Sequence, residues 1–187
     1  MKTLSILTAL AAFLLAGCAA TSNAGGAGAD EKPFGGAGSV DYAAALWKQL
    51  SKQRLVGPAA TLGKHYQGVH PHGTVLDTIE GTVEVGGHQG AVIVKRNYGG
   101  EGVSIANAAN DPGKYLQAVT VMFKREAGYD AENKDWFWAK YTPAGAVMDN
   151  PKGVALAGRV AKGKQQGCIA CHKAAPGGDL VYLHDRY

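Results

Sequence analysis

The sequence predicts an α+β domain, mainly an antiparallel β-sheet with flanking helices, closed by a C-terminal helical segment that carries a C-x-x-C-H motif. Three observations point there. Four runs rich in β-branched and aromatic residues follow one another on short links between residues 74 and 142, and sequential strands so linked pair antiparallel rather than through βαβ crossovers. An amphipathic helical stripe precedes them and helical spacing follows them. A hydrophobic content of 46% against 18% charged residues suits a packed core and is too apolar for a disordered chain.

In chain order, the first folded element is a helix. "VDYAAALWKQLSKQRL" sets Val40, Ala43, Ala44, Trp47, Leu50 and Leu55 along one stripe, and Gly57-Pro58 ends it. Residues 59–67 show no clear period. His70 and His72 flank Pro71 in "HPHG", which reads as a surface turn, and His65 and His88 give no sharper signal. From residue 74 the period becomes that of strands. "TVLDTIEGTVEV" runs to a break at Gly86-Gly87 and "GAVIVKRNY" to Gly99-Gly100. "YLQAVTVMFKRE" and "DWFWAKYT" follow, joined by the loop-like "AGYDAENK". On the second strand, Ala91, Ile93, Lys95 and Asn97 share one face, and Val92, Val94, Arg96 and Tyr98 the other. Helical spacing returns in "GVALAGRVAKGKQQGCIACHKAA". The tail "DLVYLHDRY" either adds a short strand or packs on that helix.

The N-terminus bounds the compartment. Residues 1–17 have a basic start at Lys2 and an apolar run from Leu4 to Leu15, too short to span a bilayer and suited to a secretory signal. The run ends in Leu15-Ala16-Gly17-Cys18, which resembles the lipobox of bacterial lipoproteins. That resemblance implies that Cys18 is the lipidated N-terminus; the alternative is ordinary cleavage, with Cys18 a free thiol. At about 0.8 kcal/mol per buried methylene, several acyl chains anchor a protein firmly. Ala19 then implies the outer membrane, on the periplasmic side of a bacterial cell envelope. Residues 18–39 are rich in Gly, Ala and Ser and read as a flexible tether, leaving 40–187 as the folded domain. Without Lys2 the chain keeps 18 basic and 15 acidic residues, hence +3, too mild and scattered for nucleic acid.

Cys168-x-x-Cys171-His172 admits three chemistries. A dithiol oxidoreductase needs a βαβ setting with the active cysteine opening a helix, and gives His172 no role. A structural zinc site needs four ligands, and neither a second C-x-x-C pair nor a well-spaced histidine accompanies this one. C-x-x-C-H is also the attachment signature of haem c. Each thiol adds across one vinyl group, the two intervening residues set the reach to both vinyls, and the adjacent histidine supplies an axial nitrogen to the iron. Export agrees with this third reading, since bacterial haem c is attached outside the inner membrane. It gives one covalently attached haem c per chain, held by Cys168, Cys171 and His172.

The ordered set "GAVIVKRNY", "TVMFKREAGYD", "KDWFWAKY" and "GCIACHKAA" resembles the cytochrome P460 family, which includes the β-sheet form of cytochrome c′, across most of residues 60–187. The resemblance implies a twisted antiparallel sheet, a homodimer and a five-coordinate haem iron with His172 as the proximal ligand. In the catalytic branch a lysine in a G-x-V-x-V-K-like stretch is bonded to the macrocycle; the match here is Lys95 in "GAVIVK". That branch oxidises hydroxylamine through nitric oxide chemistry and uses a distal glutamate, for which Glu101 and Glu126 are the candidates, with Glu101 preferred, and an arginine. The segment before Lys95 offers no arginine at the expected position: Arg54 lies in the first helix and Arg96 points away from Lys95. The expected ligands are therefore nitric oxide and hydroxylamine, with a redox partner protein. The alternative is a non-enzymatic cytochrome that transfers electrons or binds nitric oxide. Phe123 is either core or a distal cap, Trp136 and Trp138 pack in the core or at the haem edge, and Met122 and Met148 are either core or sixth ligands.

Overall fold

The computed structural model describes residues 32–183, so the segment read as a secretory signal and Cys18 lie outside the described residues. The first helix, α1, is Ala37–Lys52. Its buried stripe is Ala43, Leu46 and Leu50, while Ala44 is exposed, so the face is turned slightly from the expected one. It stops ahead of Gly57-Pro58, because Arg54 turns to φ 57° and Leu55 N–H donates back to Leu50 O at 2.9 Å. It also begins earlier than residue 40. Phe34 pairs with Gly158, and Gly35 N–H donates to Ala157 O at 2.8 Å, so the end of the segment read as tether is folded.

Six strands form one antiparallel meander in the order β1 to β6: β1 Tyr66–Gln67, β2 Val75–Val85, β3 His88–Tyr98, β4 Leu116–Lys124, β5 Trp136–Tyr141 and β6 Ala157–Gly158. The four expected strands are β2 to β5. β2 and β3 pair over their whole length across the Gly86-Gly87 turn, from Val85↔His88 to Val75↔Tyr98. Two short helices, α2 Ile105–Asn110 and α3 Pro112–Tyr115, lead into β4, each capped by a side chain: Ser104 accepts from Asn107 N–H and Asp111 from Lys114 N–H.

The helical spacing from Gly153 onward is realised only over the C-x-x-C-H motif itself. The only helix there, α4, is Cys168–His172. Gly153, Gly158 and Gly163 adopt φ of 70°, 114° and 71°, outside the helical region. The apolar period instead lays the segment on the sheet: Ala157 pairs with Ala139, and Leu156 N–H donates to Met148 O. The tail adds no strand among the described residues; Leu180, Val181 and Leu183 pack with Ile169 of α4.

Strand alternation splits the interior in two. Val92, Val94, Val119, Val121, Phe123, Phe137, Ala139 and Tyr141 face α1. Ile93, Met122, Trp136 and Trp138 face the C-terminal segment with Val160, Ile169 and Leu180. β3 is therefore buried on both faces from Val92 to Tyr98. Phe123 is fully buried on the α1 side and is core.

On the α1 side lies a buried ion pair. Arg96 stands directly across from Asp77, and Arg96 Nη1 donates to Asp77 Oδ1 at 2.5 Å. Tyr98 OH donates to Asp77 Oδ2 at 2.6 Å, and Gly63 N–H to Asp77 Oδ1 at 3.2 Å. Arg96 Nη2 donates to the carbonyls of Leu55 and Thr61 at 2.8 and 2.7 Å. Burial, and the adjacent carboxylate next, push the Tyr98 hydroxyl pKa far up. The pair thus pins residues 55–63, which lack secondary structure, to the sheet. Arg96→Met leaves the Asp77 charge buried and unmatched; the expected loss is about 3–5 kcal/mol in denaturant unfolding, and a loss below 1 kcal/mol would refute this account.

Candidate functional site

The other face of the sheet opens into a cavity of about 570 Å³, within the range of small-molecule sites. Its floor is two cross-strand rows. Ile93, Met122 and Trp138 make an apolar row, and Lys95, Thr120 and Lys140 a polar one. The rows exist because the three strands are in register and every second residue of each faces this way. The rim is the C-terminal segment with Cys168, Cys171, His172 and Tyr182, and on another side His70, Pro71 and His72.

Gly167 sets the rim. It holds φ 118°, ψ −172°, a conformation essentially reserved for glycine, and a Cβ there would strike Ala161 Cβ. From it the five-residue α4 turns Cys168, Cys171 and His172 to the cavity. Cys168 is half-buried, and burial pushes its thiol up to about 11; Cys171 is exposed, and both are free. The His172 ring is buried, edge-on to Trp138 at 4.7 Å and to Tyr182 at 5.3 Å between centroids. His172 Nδ1 lies 2.6 Å from Leu180 O. A carbonyl only accepts, so Nδ1 carries the proton and Nε2 keeps its lone pair. Burial also lowers the pKa of this ring. A ring N–H held by a backbone carbonyl is the usual support of a metal-ligating histidine.

Lys95 is buried at 8% exposure, and its Nζ donates to Tyr182 O at 3.1 Å. Burial brings its pKa down to about 8, so the amine is neutral far more often than on a surface. Trp138 Nε1 is buried with no hydrogen-bond partner, which fits a bound group carrying acceptors. Among the described residues no group of three or more His, Cys, Asp or Glu forms a metal-ion cluster of the kind a zinc site needs.

The structure therefore brings Lys95, Cys168, Cys171 and His172 to one cavity. Glu101 is exposed on the turn after β3 and does not line it. Glu126 is committed to Arg125, with Nε to Oε2 at 2.7 Å and Nη2 to Oε1 at 2.6 Å, and that bond chiefly lowers its pKa. Arg54 is exposed and bonded to Ala59 O. Met122 lines the cavity and Met148 does not. His65 lies against Tyr98 near Asp77, and His88 bonds Lys124 O.

His72 departs from the expected surface turn. It is half-buried and lines the cavity, 6.1 Å from the His172 ring. Burial first, then the nearby Lys95, lower its pKa to about 4. No local pattern in "HPHG" marks this, because only the pairing of β1 with β2 folds the turn back over β3.

The family model for cytochrome P460 matches residues 59–183, and the chain belongs to that family. It is a haem-binding cytochrome, and the sheet with its C-terminal helix is the fold described above. Neither the curated proteins nor the solved structures give a significant match.

The geometry at Gly167 has a direct consequence. Gly167→Ala forces a strained backbone and a clash with Ala161, so unfolding stability should fall by at least about 1–3 kcal/mol, read from the denaturant midpoint. An unchanged midpoint would show that the rim does not depend on this residue.

Proposed function

We propose that the protein is an exported c-type cytochrome whose haem is covalently held by Cys168 and Cys171, with His172 as an axial ligand, and that it binds nitric oxide or hydroxylamine at the iron. One observation carries this reading: Lys95, two free cysteines and a histidine with an available Nε2 all line a single, mostly apolar cavity. In thioether formation each S–H adds across a vinyl C=C, sulfur to one carbon and hydrogen to the other, with nothing lost. The haem supplies an iron that binds small ligands and exchanges electrons with a redox partner protein. The protein's share is orientation of His172 by Leu180 O, exclusion of water by the Ile93–Met122–Trp138 row, and an amine at Lys95 beside the bound group. Lipidation of Cys18 would hold this domain on the periplasmic side of the outer membrane.

Oxidation of hydroxylamine is the stronger form of the reading, and a Lys95 link to the macrocycle is its mark. A second reading, a nitric oxide carrier or an electron shuttle, is favoured by one feature: among the described residues, no carboxylate lines the cavity. Proton relay to a bound nitrogen ordinarily needs such a group within hydrogen-bond reach.

Mass spectrometry of the denatured holoprotein tests the attachment. Haem should remain on the chain in wild type and in Lys95→Ala, and should be lost from the Cys168→Ala/Cys171→Ala double variant. Haem that separates from wild type on denaturation would overturn the covalent assignment. A peptide joining Lys95 to haem would select the oxidising enzyme, and a free Lys95 the carrier or shuttle.

A further inference from the structure

We propose that the mouth of the cavity is a docking surface for an acidic electron-carrier protein, with Val69 and Pro71 at its apolar centre and Lys164 and Lys173 on its charged rim. This rests on the haem reading above and deepens it, since it gives the redox partner a chemistry and a place to bind.

The first observation is the distribution of charge. Residues 150–178 hold five basic side chains, Lys152, Arg159, Lys162, Lys164 and Lys173, and no Asp or Glu. Two of these are committed elsewhere: Lys162 to Asp130 and Glu132 at 2.5 and 3.7 Å, and Arg159 to the Tyr129 ring at 5.8 Å. Lys164 and Lys173 are exposed, and neither joins an ion pair among the described residues. They bracket the C-x-x-C-H motif. Lys164 lies two residues before the cavity-lining Gln166, and Lys173 directly follows His172. Lys140 stands inside the mouth, half-buried and likewise outside every ion pair among the described residues. Asp179, the first acidic residue after the motif, is half-buried, and its Oδ1 accepts from Val181 N–H.

The second observation is where apolar surface is exposed. Among the described residues the exposed large hydrophobic side chains are Leu62, Val69 and Ile105, and Val69 is the most open at 70%. A single exposed apolar residue is ordinary by itself. Val69, however, sits on the turn whose next two residues, His70 and Pro71, line the cavity, and Pro71 is exposed as well. Cys171 is exposed on the rim, so a group attached there has an edge at this same surface. A small apolar centre inside a polar rim is the usual anatomy of a protein–protein contact.

The third consideration is what such a rim does. Exposed lysines act at a distance, steering an oppositely charged partner and setting its orientation, while adding little to the closed complex. The resulting encounters are fast, weak and salt-sensitive, which suits a carrier that must leave after each exchange.

Titration of the holoprotein with poly-L-glutamate at low ionic strength tests the surface, with the mass of the haem-bearing chain measured in parallel. Wild type should bind, and binding should weaken as salt rises. Lys164→Glu/Lys173→Glu should bind more than about tenfold more weakly. Val69→Asp should weaken binding as well. Lys48→Glu/Lys52→Glu makes the same charge change on exposed α1 positions across the sheet, and should alter binding by less than about twofold. Bound poly-L-glutamate should also slow oxidation of the reduced protein by hexacyanoferrate(III), which takes up one electron to become hexacyanoferrate(II). No binding by wild type, equal losses in the two lysine variants, unchanged binding in Val69→Asp, or unslowed oxidation overturns the proposal. A Lys164→Glu/Lys173→Glu variant that loses binding to anionic phospholipid vesicles but keeps binding to poly-L-glutamate also overturns it, and assigns the surface to a membrane. Absence of covalent haem by mass overturns the haem reading, while the titration still decides whether this face takes an acidic partner.

Discussion

Side-chain alternation along β3 is the constraint on which this molecule depends. Val92, Val94 and Arg96 belong to the α1 side, and Ile93, Lys95 and Asn97 to the other. Because a strand's side chains alternate with period two, a slip of one residue would exchange the faces. Lys95 would then lie in the hydrophobic core and Arg96 in the cavity. The long β2–β3 hairpin and the paired register of β4 and β5 resist that slip, and the cavity floor is their by-product.

The two faces solve opposite problems. The α1 face is filled by aliphatic and aromatic side chains, and its buried carboxylate is tightly partnered: Asp77 alone receives bonds from Arg96, Tyr98 and Gly63. A buried charge left without such partners costs several kcal/mol, so this network dictates where residues 55–63 run. The opposite face keeps its polar groups for another purpose. Lys95 Nζ bonds the carbonyl of Tyr182, and Trp138 Nε1 has no bond at all. A haem-binding cytochrome needs one face rigid and one face open, and the meander supplies both from the same three strands.

The C-terminal segment completes the site by local geometry more than by secondary structure. Five helical residues follow a glycine in a conformation that other residues avoid, and the chain then returns so that Leu180 O meets His172 Nδ1 and Tyr182 O meets Lys95 Nζ. Two carbonyls of one short stretch therefore position a histidine and a lysine that lie 77 residues apart in the chain. The spacing of Cys168, Cys171 and His172 is legible as a motif in the sequence; the two bonds give His172 and Lys95 a fixed orientation.

Much of this was readable in the sequence because it is written in short-range patterns. The four main strands, the first helix, the face that Lys95 shares with Ile93 and the Cys168–Cys171–His172 cluster all follow from period and spacing within a dozen residues. The segment after Gly153 reads as helix because its apolar residues recur at helical intervals, yet glycines with positive φ and a place on the sheet override that period. Glu101 is near Lys95 in sequence, but the turn after β3 carries it to the surface. His72 is the reverse case, since its four-residue context is that of a plain turn. The sequence by itself determined the main strands, the first helix and the C-x-x-C-H motif, since these depend on neighbours along the chain. The tertiary structure alone decided which distant side chains share the cavity, since that depends on strand register and on where loops return, contacts made between residues far apart in the chain.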